Sequence, residues 1–409
     1  MKNKFIKDLI KKEYKRQNDG IELIASENYP SSDVYEAAGS ILQAKYAEGY
    51  PNKRYYGGCE NVDAVERYAI EKVTELFGCK YANVQPHSGS QANAAAYYAM
   101  LPKGGKIMSL KLDDGGHITH TALSSVGNRN YNFVHYPLGE DGKLNYDIIY
   151  EMAKKELPDV ILCGYSAYPY LINFKAFDLV RKAVETEGNK KCYLMVDMAH
   201  IAGLVATGEH PSPFPYADIV TSTTHKTLRG PRGGIILTND ETLAKKIDSA
   251  IFPRSQGGPL EHIIAAKAVC FEEALSPQFA QYMRLVKSNT SWCCGELRLL
   301  GADVSGTNNH LFLLNVYKSY GITGAEAQEK LERIGITANK NMIPGDTFKP
   351  NQTSGLRIGF AAVTSRGCDA FLALDIAHVI HDTLSNKCTE EEARHRVKRI
   401  VKKLRKIPR

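Results

Sequence analysis

Residues 192–238 read CYLMVDMAHIAGLVATGEHPSPFPYADIVTSTTHKTLRGPRGGIILT. Three short apolar runs, CYLMVD, DIVTS and GGIIL, are rich in β-branched residues and separated by a helical pattern and a polar loop, so they read as strands. Strands apolar on both sides are covered on both faces, which marks a mostly parallel sheet packed between helices. Outward from this stretch, YANV, KIMSLKL, YNFVHY and DVILCGY continue the alternation from about residue 80. The fold class is α/β, a mostly parallel seven-stranded sheet covered by helices.

The texture changes near residue 275, after which LFLLNV, GITA and GLRIGF read as strands of a smaller α+β C-terminal domain. The expected division is an N-terminal arm over 1–45, a large domain over 46–275 and a small domain over 276–409. The arm opens on a helix with Ile6, Leu9, Ile10 and Tyr14 on one face.

The chain has 409 residues and a net charge of +7. Residues 390–409 hold nine Lys/Arg against three Glu, which leaves the rest of the chain at only +1. Val397, Ile400, Val401 and Leu404 in that tail follow helical spacing, so it reads as an amphipathic helix packed on a domain rather than a nucleic-acid patch. No apolar run approaches the roughly 20 residues that span a bilayer, and no signal peptide is recognisable, so the expected location is the cytoplasm. Nine cysteines without a CxxC pair imply reduced thiols. His117 and His120, three apart, lack a third ligand nearby in sequence, so no metal is expected.

In an open α/β sheet, ligands bind outside the carboxyl ends of the strands. After YANV comes QPHSGSQAN, where a helix starting near Ser90 can receive a phosphate, although Ser-Gly-Ser is equally an N-cap. Asp197 ends the strand CYLMVD, where an isolated carboxylate costs several kcal/mol unless it meets a cation. Lys226 follows DIVTS, among Thr223, Thr224, His225, Arg229 and Arg232. A lysine beside a turn is ordinarily a solvated surface residue. Together, however, a phosphate cradle, a buried carboxylate and a strand-end lysine are the three anchors of pyridoxal 5′-phosphate: the lysine forms a Schiff base with the aldehyde, the carboxylate keeps the ring nitrogen protonated and the helix start clamps the phosphate.

IELIASEN (21–28), KYAEGYPNKRYYGG (45–58), ANVQPHSGSQAN (82–93), GGHITH (115–120), VDMAHIAGLVATG (196–208), TTHKTLRGPRGG (223–234), QGGPL (256–260), TANKN (337–341) and SGLRIG (354–359) closely resemble, in order, the serine hydroxymethyltransferase family. The resemblance runs from about residue 20 to 365. It implies the fold type I architecture of pyridoxal-phosphate enzymes, a homodimer or homotetramer with active sites at the dimer interface, and interconversion of serine and glycine with tetrahydrofolate as co-substrate. By that resemblance Lys226 matches the lysine that carries the cofactor as a covalent aldimine, Asp197 the partner of the ring nitrogen and His117 the imidazole on the ring. Ser88, Gly89 and Ser90 match the phosphate cradle, joined from the neighbouring subunit by Tyr46, Gly257 and Gly258. Ser166 and His200 match groups around the ring hydroxyl and substrate, and Thr223 and His225 line the pocket. Arg357 matches the grip on the amino acid carboxylate, with Ser26 and Tyr56 assisting. Glu48 matches the residue handling protons on the hydroxymethyl group, and Leu112, Gly116, Ile118, Tyr55 and Asn341 match positions around the pterin.

Three stretches depart from the family pattern: Asp114 in place of a histidine, the loop over 121–131, and Phe360-Ala361 in place of a threonine-proline pair. The first two border the folate pocket and the third lies close to Arg357, which bears on amino acid selectivity. The alternative within the fold is a folate-independent aldolase cleaving threonine or allo-threonine, against which Glu48, Tyr55 and Asn341 speak. The alternative outside enzymes is a binding protein that engages RNA through the basic tail, against which the pairing of Lys226 with Asp197 speaks.

Overall fold

The computed structural model describes residues 2–121 and 128–408, so 122–127 of the departing 121–131 loop lie outside the described residues. The chain forms two compact units, one of Pro30–Ser166 with Leu171–Ala280, the other of Met1–Tyr29, Ala167–Tyr170 and Gln281–Arg409.

The first unit is built on seven strands: β1 (Tyr81–Asn83), β2 (Lys106–Leu110), β3 (Asn132–Tyr136), β4 (Val160–Cys163), β5 (Tyr193–Asp197), β6 (Ile219–Thr223) and β7 (Gly234–Thr238). Their spatial order is β1-β7-β6-β5-β4-β2-β3, with only β7 antiparallel to its neighbours. Every residue of β4, β6 and β7 is buried, which is why these strands read as unbroken apolar runs without alternation. The helix Gly89–Met100 lies against this sheet through a face of alanines that includes Ala92, Ala95 and Ala96, and its small side chains permit close approach. Its start is capped by Ser88, whose hydroxyl accepts from the Gln91 N–H.

In the second unit, β8 (Leu311–Asn315), β9 (Asn339–Asn341) and β10 (Gly355–Gly359) form an antiparallel sheet ordered β8-β10-β9. Phe312, Leu314, Ile358, Phe360, Ile376 and Ile380 fill its core. GITA does not join this sheet: Ile336–Thr337 pairs in parallel with Ile21–Glu22, and the edge is taken by the polar run Asn339–Asn341. Ile21 and Ile336 are both wholly buried, so the returning N-terminal segment fills the place beside GITA. The opening helix Lys4–Asp19 buries none of its residues: Ile6, Leu9 and Ile10 are each 42–55% exposed. The C-terminal helix Glu390–Lys403 starts with a Thr389/Glu392 capping box and buries Ala393, Val397 and Ile400 in the core of this unit. No helix among the described residues is long and apolar enough to cross a membrane. All nine cysteines are free, and eight of them are buried.

Candidate active site

The carboxyl ends of β1, β4, β5 and β6 lead into the segments carrying Ser88, Ser166, Asp197 and Lys226. Asp197 is the last residue of β5 and its side chain is 10% exposed. Its Oδ2 accepts from Asn93 Nδ2 at 2.9 Å and from His120 Nε2 at 3.0 Å, and its Oδ1 accepts from the Ala199 N–H at 3.0 Å. Burial by itself raises this carboxyl's pKa. The hydrogen bond and charge of His120, the charge of His117 and the Asn93 hydrogen bond outweigh burial and hold it well below the usual carboxylate range. An ionised, oriented carboxylate therefore stands at this strand end.

The donors around it are themselves held. Asn93 also donates to Thr119 Oγ1 at 2.9 Å and accepts from Thr221 Oγ1 at 2.6 Å, and His117 Nδ1 lies 2.6 Å from Thr119 Oγ1. The His117 and His120 ring centroids are 5.3 Å apart. Ligand atoms of His117, His120 and Asp197 all lie within 4.8 Å of one another, so the third group that local sequence does not supply comes from 77 residues beyond His120. The donors already in place give this carboxylate a hydrogen-bonded role without an ion.

Lys226 is buried, three residues beyond the end of β6. Its loop is tied down by Gly230 N–H to Thr224 O at 2.7 Å and by Thr227 Oγ1 to His200 O at 2.9 Å, which joins the lysine loop to the segment after β5. Burial and the charges of Arg232 and Lys226 push His225 down to about 3, so its imidazole is neutral. Arg229 sits over the Phe279 ring, 5.6 Å from its centroid.

The cradle is shaped by close backbone approach. A Cβ on Gly89 would stand 2.6 Å from Thr223 Cγ2, and one on Gly234 would stand 2.4 Å from Ser88 O. Only glycine permits the helix start to sit this near the ends of β6 and β7. Ser166 N–H donates to Gly115 O at 2.9 Å, which joins the end of β4 to the GGHITH loop. On that loop Gly116 is buried while Leu112 and Ile118 are about half exposed. Burial raises the Asp114 carboxyl above its ordinary value, partly offset by Lys111.

A second group of expected residues gathers on the 46–58 and 255–258 segments of the same unit. The Tyr46 and Tyr56 rings are 5.0 Å apart, Tyr46 OH donates to Glu48 Oε1 at 3.4 Å, and Tyr55 packs on Phe252 at 5.6 Å. Cβ atoms on Gly257 and Gly258 would meet Glu48 Oε1 at 3.1 Å and the Tyr46 ring at 3.2 Å. Tyr46, Tyr55 and Tyr56 are 54%, 76% and 46% exposed.

Ser26, Arg357 and Asn341 belong to the other unit. Arg357 is central in β10, paired with Leu313 and Asn339, and burial pulls its guanidinium down to about 10. Asn341, on β9, pairs with Gly355 of β10, and the segment before Ser26 lies against β10, where a Cβ on Gly359 would stand 2.4 Å from Ala25 Cα. Phe360 is wholly buried in the core of this unit and Tyr282 OH donates to Ala361 O at 2.8 Å, so the departing Phe-Ala pair serves packing here.

The residues present fit pyridoxal phosphate. Among the described residues Thr223 Oγ1, His225 Nδ1 and His87 Nε2 are buried without a hydrogen-bond partner, Asp197 is ionised, and Ser88 and Ser90 at the helix start are exposed, where an anion can reach the first-turn N–H groups. A seven-stranded α/β sheet with lysine, ionised carboxylate and helix start at its strand ends has the architecture of the fold type I pyridoxal-phosphate enzymes. The serine hydroxymethyltransferase family model matches residues 1–380. The chain is 52% identical over 399 residues to the serine hydroxymethyltransferase of Mycoplasmopsis agalactiae, covering 97% of this chain and 93% of that protein. The same name belongs to relatives in Mycoplasmopsis synoviae (52% over 388 residues, 94% and 90% covered) and Microcystis aeruginosa (50% over 384 residues, 93% and 88% covered). This chain belongs to the serine hydroxymethyltransferase family, a family of pyridoxal-phosphate-dependent transferases.

His120, Asn93 and Thr119 carry the Asp197 network without having been singled out from the sequence for that role. The signals were present in GGHITH, where His120 lies three residues after His117, and in SQAN, where Asn93 falls one turn into the helix.

Proposed function

We propose that this chain interconverts serine and glycine, passing the hydroxymethyl carbon between serine and tetrahydrofolate to give 5,10-methylenetetrahydrofolate, with pyridoxal 5′-phosphate held on Lys226, in the cytoplasm. The observation that carries the reading is the Asp197 carboxylate, kept ionised at the end of β5 beside the strand that leads into Lys226. The names of the relatives support the same activity.

Pyridoxal phosphate, when bound, supplies an electron sink for breaking a bond at an amino acid's α-carbon. The chain's own groups prepare for it. Asp197 retains a proton on the ring nitrogen, Ser88, Gly89 and Ser90 receive the phosphate, and His117 covers the ring. Ser166 and His200 border the ring hydroxyl and substrate, while Thr223 and the neutral His225 line the pocket. Arg357, with Ser26 and Tyr56, fixes the amino acid carboxylate, and that orientation selects which α-carbon bond is weakened. Glu48 moves the proton at the hydroxymethyl oxygen. Leu112, Gly116, Ile118, Tyr55 and Asn341 border the pterin.

The exposed tyrosines at 46, 55 and 56 support a site completed by a second copy of the chain, with Tyr46, Gly257 and Gly258 joining the neighbour's cradle in a homodimer or homotetramer. Serine cleavage by cofactor-loaded protein, with and without tetrahydrofolate, tests the reading. A rate that depends on folate supports it, and equal rates point instead to a threonine-type aldolase. A Lys226→Ala chain is expected to lose the visible absorption of the loaded protein together with turnover.

A further inference from the structure

Lys267, on the helix Glu261–Ala274, is 1% exposed. Its Nζ donates to three backbone carbonyls: Val84 O at 2.6 Å, Pro86 O at 3.0 Å and Gly234 O at 2.9 Å. Val84 and Pro86 lie on the loop from β1 to the Ser88 cap, and Gly234 opens β7. Among the described residues no carboxylate forms an ion pair with Lys267; Glu66, whose charge it senses, is engaged by Arg54 at 2.6 Å and by Gln85 at 2.8 Å. The three carbonyls satisfy all three N–H donors, but they are neutral, and burying the ammonium's charge stays costly until an anion offsets it.

The surroundings are fitted to this cation. A Cβ on Gly233 would stand 2.4 Å from Lys267 Cε. The Pro86–His87 peptide turns its carbonyl to Lys267 and its N–H to Gln91 Oε1 at 3.0 Å, in the first turn of the cradle helix. Gly234 N–H donates to Pro86 O at 3.0 Å, so a single ammonium holds both backbone segments that meet at Ser88. The charge reaches the loop: burial and then Lys267 depress the pKa of His87, one residue before the cap.

We infer that Lys267 is a positioning residue of the phosphate cradle, whose buried charge is balanced by the dianion of a phosphate-bearing ligand at Ser88–Ser90. The inference rests on the cofactor reading above for the identity of that ligand. Burial pulls the lysine down to about 7 in the ligand-free chain, and an arriving dianion draws it back to the charged state.

The test uses full-length, cofactor-free protein and the Lys267→Met variant, which keeps the length of the side chain and removes the charge. Affinities are measured for pyridoxal 5′-phosphate and for pyridoxal, which lacks the phosphate. The expected result is that K267M weakens the phosphate-bearing compound about tenfold or more, a change on the scale of a charge-assisted contact, and leaves pyridoxal within about twofold. Equal weakening of both would reduce Lys267 to a brace and overturn the inference. If K267M does not fold, calorimetry on the wild-type chain near pH 8, in two buffers of different ionisation enthalpy, uses sulfate as a dianion that carries no proton of its own. Proton uptake that persists in a His87→Gln chain supports the inference, and binding without uptake, or uptake lost with His87, overturns it. Should wild-type protein show no visible absorption with pyridoxal phosphate, the cofactor reading fails, while the sulfate result still decides the role of Lys267.

Discussion

His120 Nε2 lies 3.0 Å from Asp197 Oδ2 across 77 residues of chain. Burial opposes the ionised carboxylate, and His120 is the largest of the influences that reverse it. Replacing His120 by Leu removes the largest influence that holds this carboxyl down, so the carboxyl rises towards its ordinary value of about 3.9 or above. A carboxyl with a depressed folded-state pKa stabilises the fold fully above its unfolded value, and this contribution is lost as pH falls through the folded value. The wild-type chain therefore keeps the Asp197 contribution throughout the neutral range. H120L is expected to be less stable by about 1–3 kcal/mol near neutrality and to begin acid unfolding at a higher pH. Thermal unfolding curves from pH 2 to 8 check this, and an unchanged acid limb in H120L counts against it.

Gly89 and Thr223 offer a paired test of the cradle. A Cβ on Gly89 would fall 2.6 Å from Thr223 Cγ2, which is closer than side chains tolerate. Gly89→Ala is expected to displace the helix start and weaken cofactor affinity by about tenfold, roughly 1.4 kcal/mol. Thr223→Ser deletes the offending methyl and keeps the hydroxyl, so the double variant should recover most of the loss. Cofactor titration of both single variants and the double variant reads the coupling, and strictly additive effects would contradict the steric account.

Arg54 stands among three carboxylates: Asp63 Oδ1 at 2.8 Å, Glu66 Oε2 at 2.6 Å and Glu261 Oε1 at 3.6 Å. One cation cannot balance three buried anions. Burial and the charge of Glu66 raise the Glu261 carboxyl to about 8, and among the described residues neither of its oxygens has a hydrogen-bond partner. A carboxyl raised in the folded state gives stability that is fully present below its unfolded value of about 4.3 and is lost as pH rises through about 8. Glu261→Gln removes that dependence. The variant is expected to unfold a few degrees above wild type at pH 8 and close to it at pH 5. A variant less stable than wild type at pH 8 would show that the Arg54 contact outweighs the buried charge.

The seven-stranded sheet was legible because its inner strands β4 to β7 are short apolar runs mostly buried on both faces, a signal carried within about five residues, while the edge strands β1 and β3 are only partly buried. The placing of Asp197 at the end of one strand and of Lys226 just past another was legible because each follows a short buried apolar run. The pairing of Ile336 with Ile21 was not, since two-residue strands separated by most of the chain leave no local pattern. His120 and Lys267 were hidden for a related reason. Each is a polar residue whose partners lie 77 or up to 183 residues away, so spacing along the chain says nothing of what it will meet. Phe360 lies three residues after Arg357, and its side chain is buried in the core of its own unit, a placement that spacing along the chain does not show.

Arg357 combines burial with a planar, two-pronged donor, and its position in β10 is fixed on both sides by pairing with Leu313 and Asn339. Burial pulls its pKa down to about 10, so it remains charged at neutral pH. Arg357→Met removes the charge from a desolvated site, where truncating one partner of a charge pair costs about 2–4 kcal/mol. The apparent affinity for serine is expected to fall by about 30-fold to several hundredfold. Arg357→Lys keeps the charge and loses the fork, so its loss should lie between wild type and R357M. On the proposed reading, cofactor affinity should change little in either variant. The measurement is KM for serine at saturating tetrahydrofolate beside a cofactor titration: a rise in KM with intact cofactor binding assigns the arginine to the substrate carboxylate, and a parallel loss of both would remove it from that role.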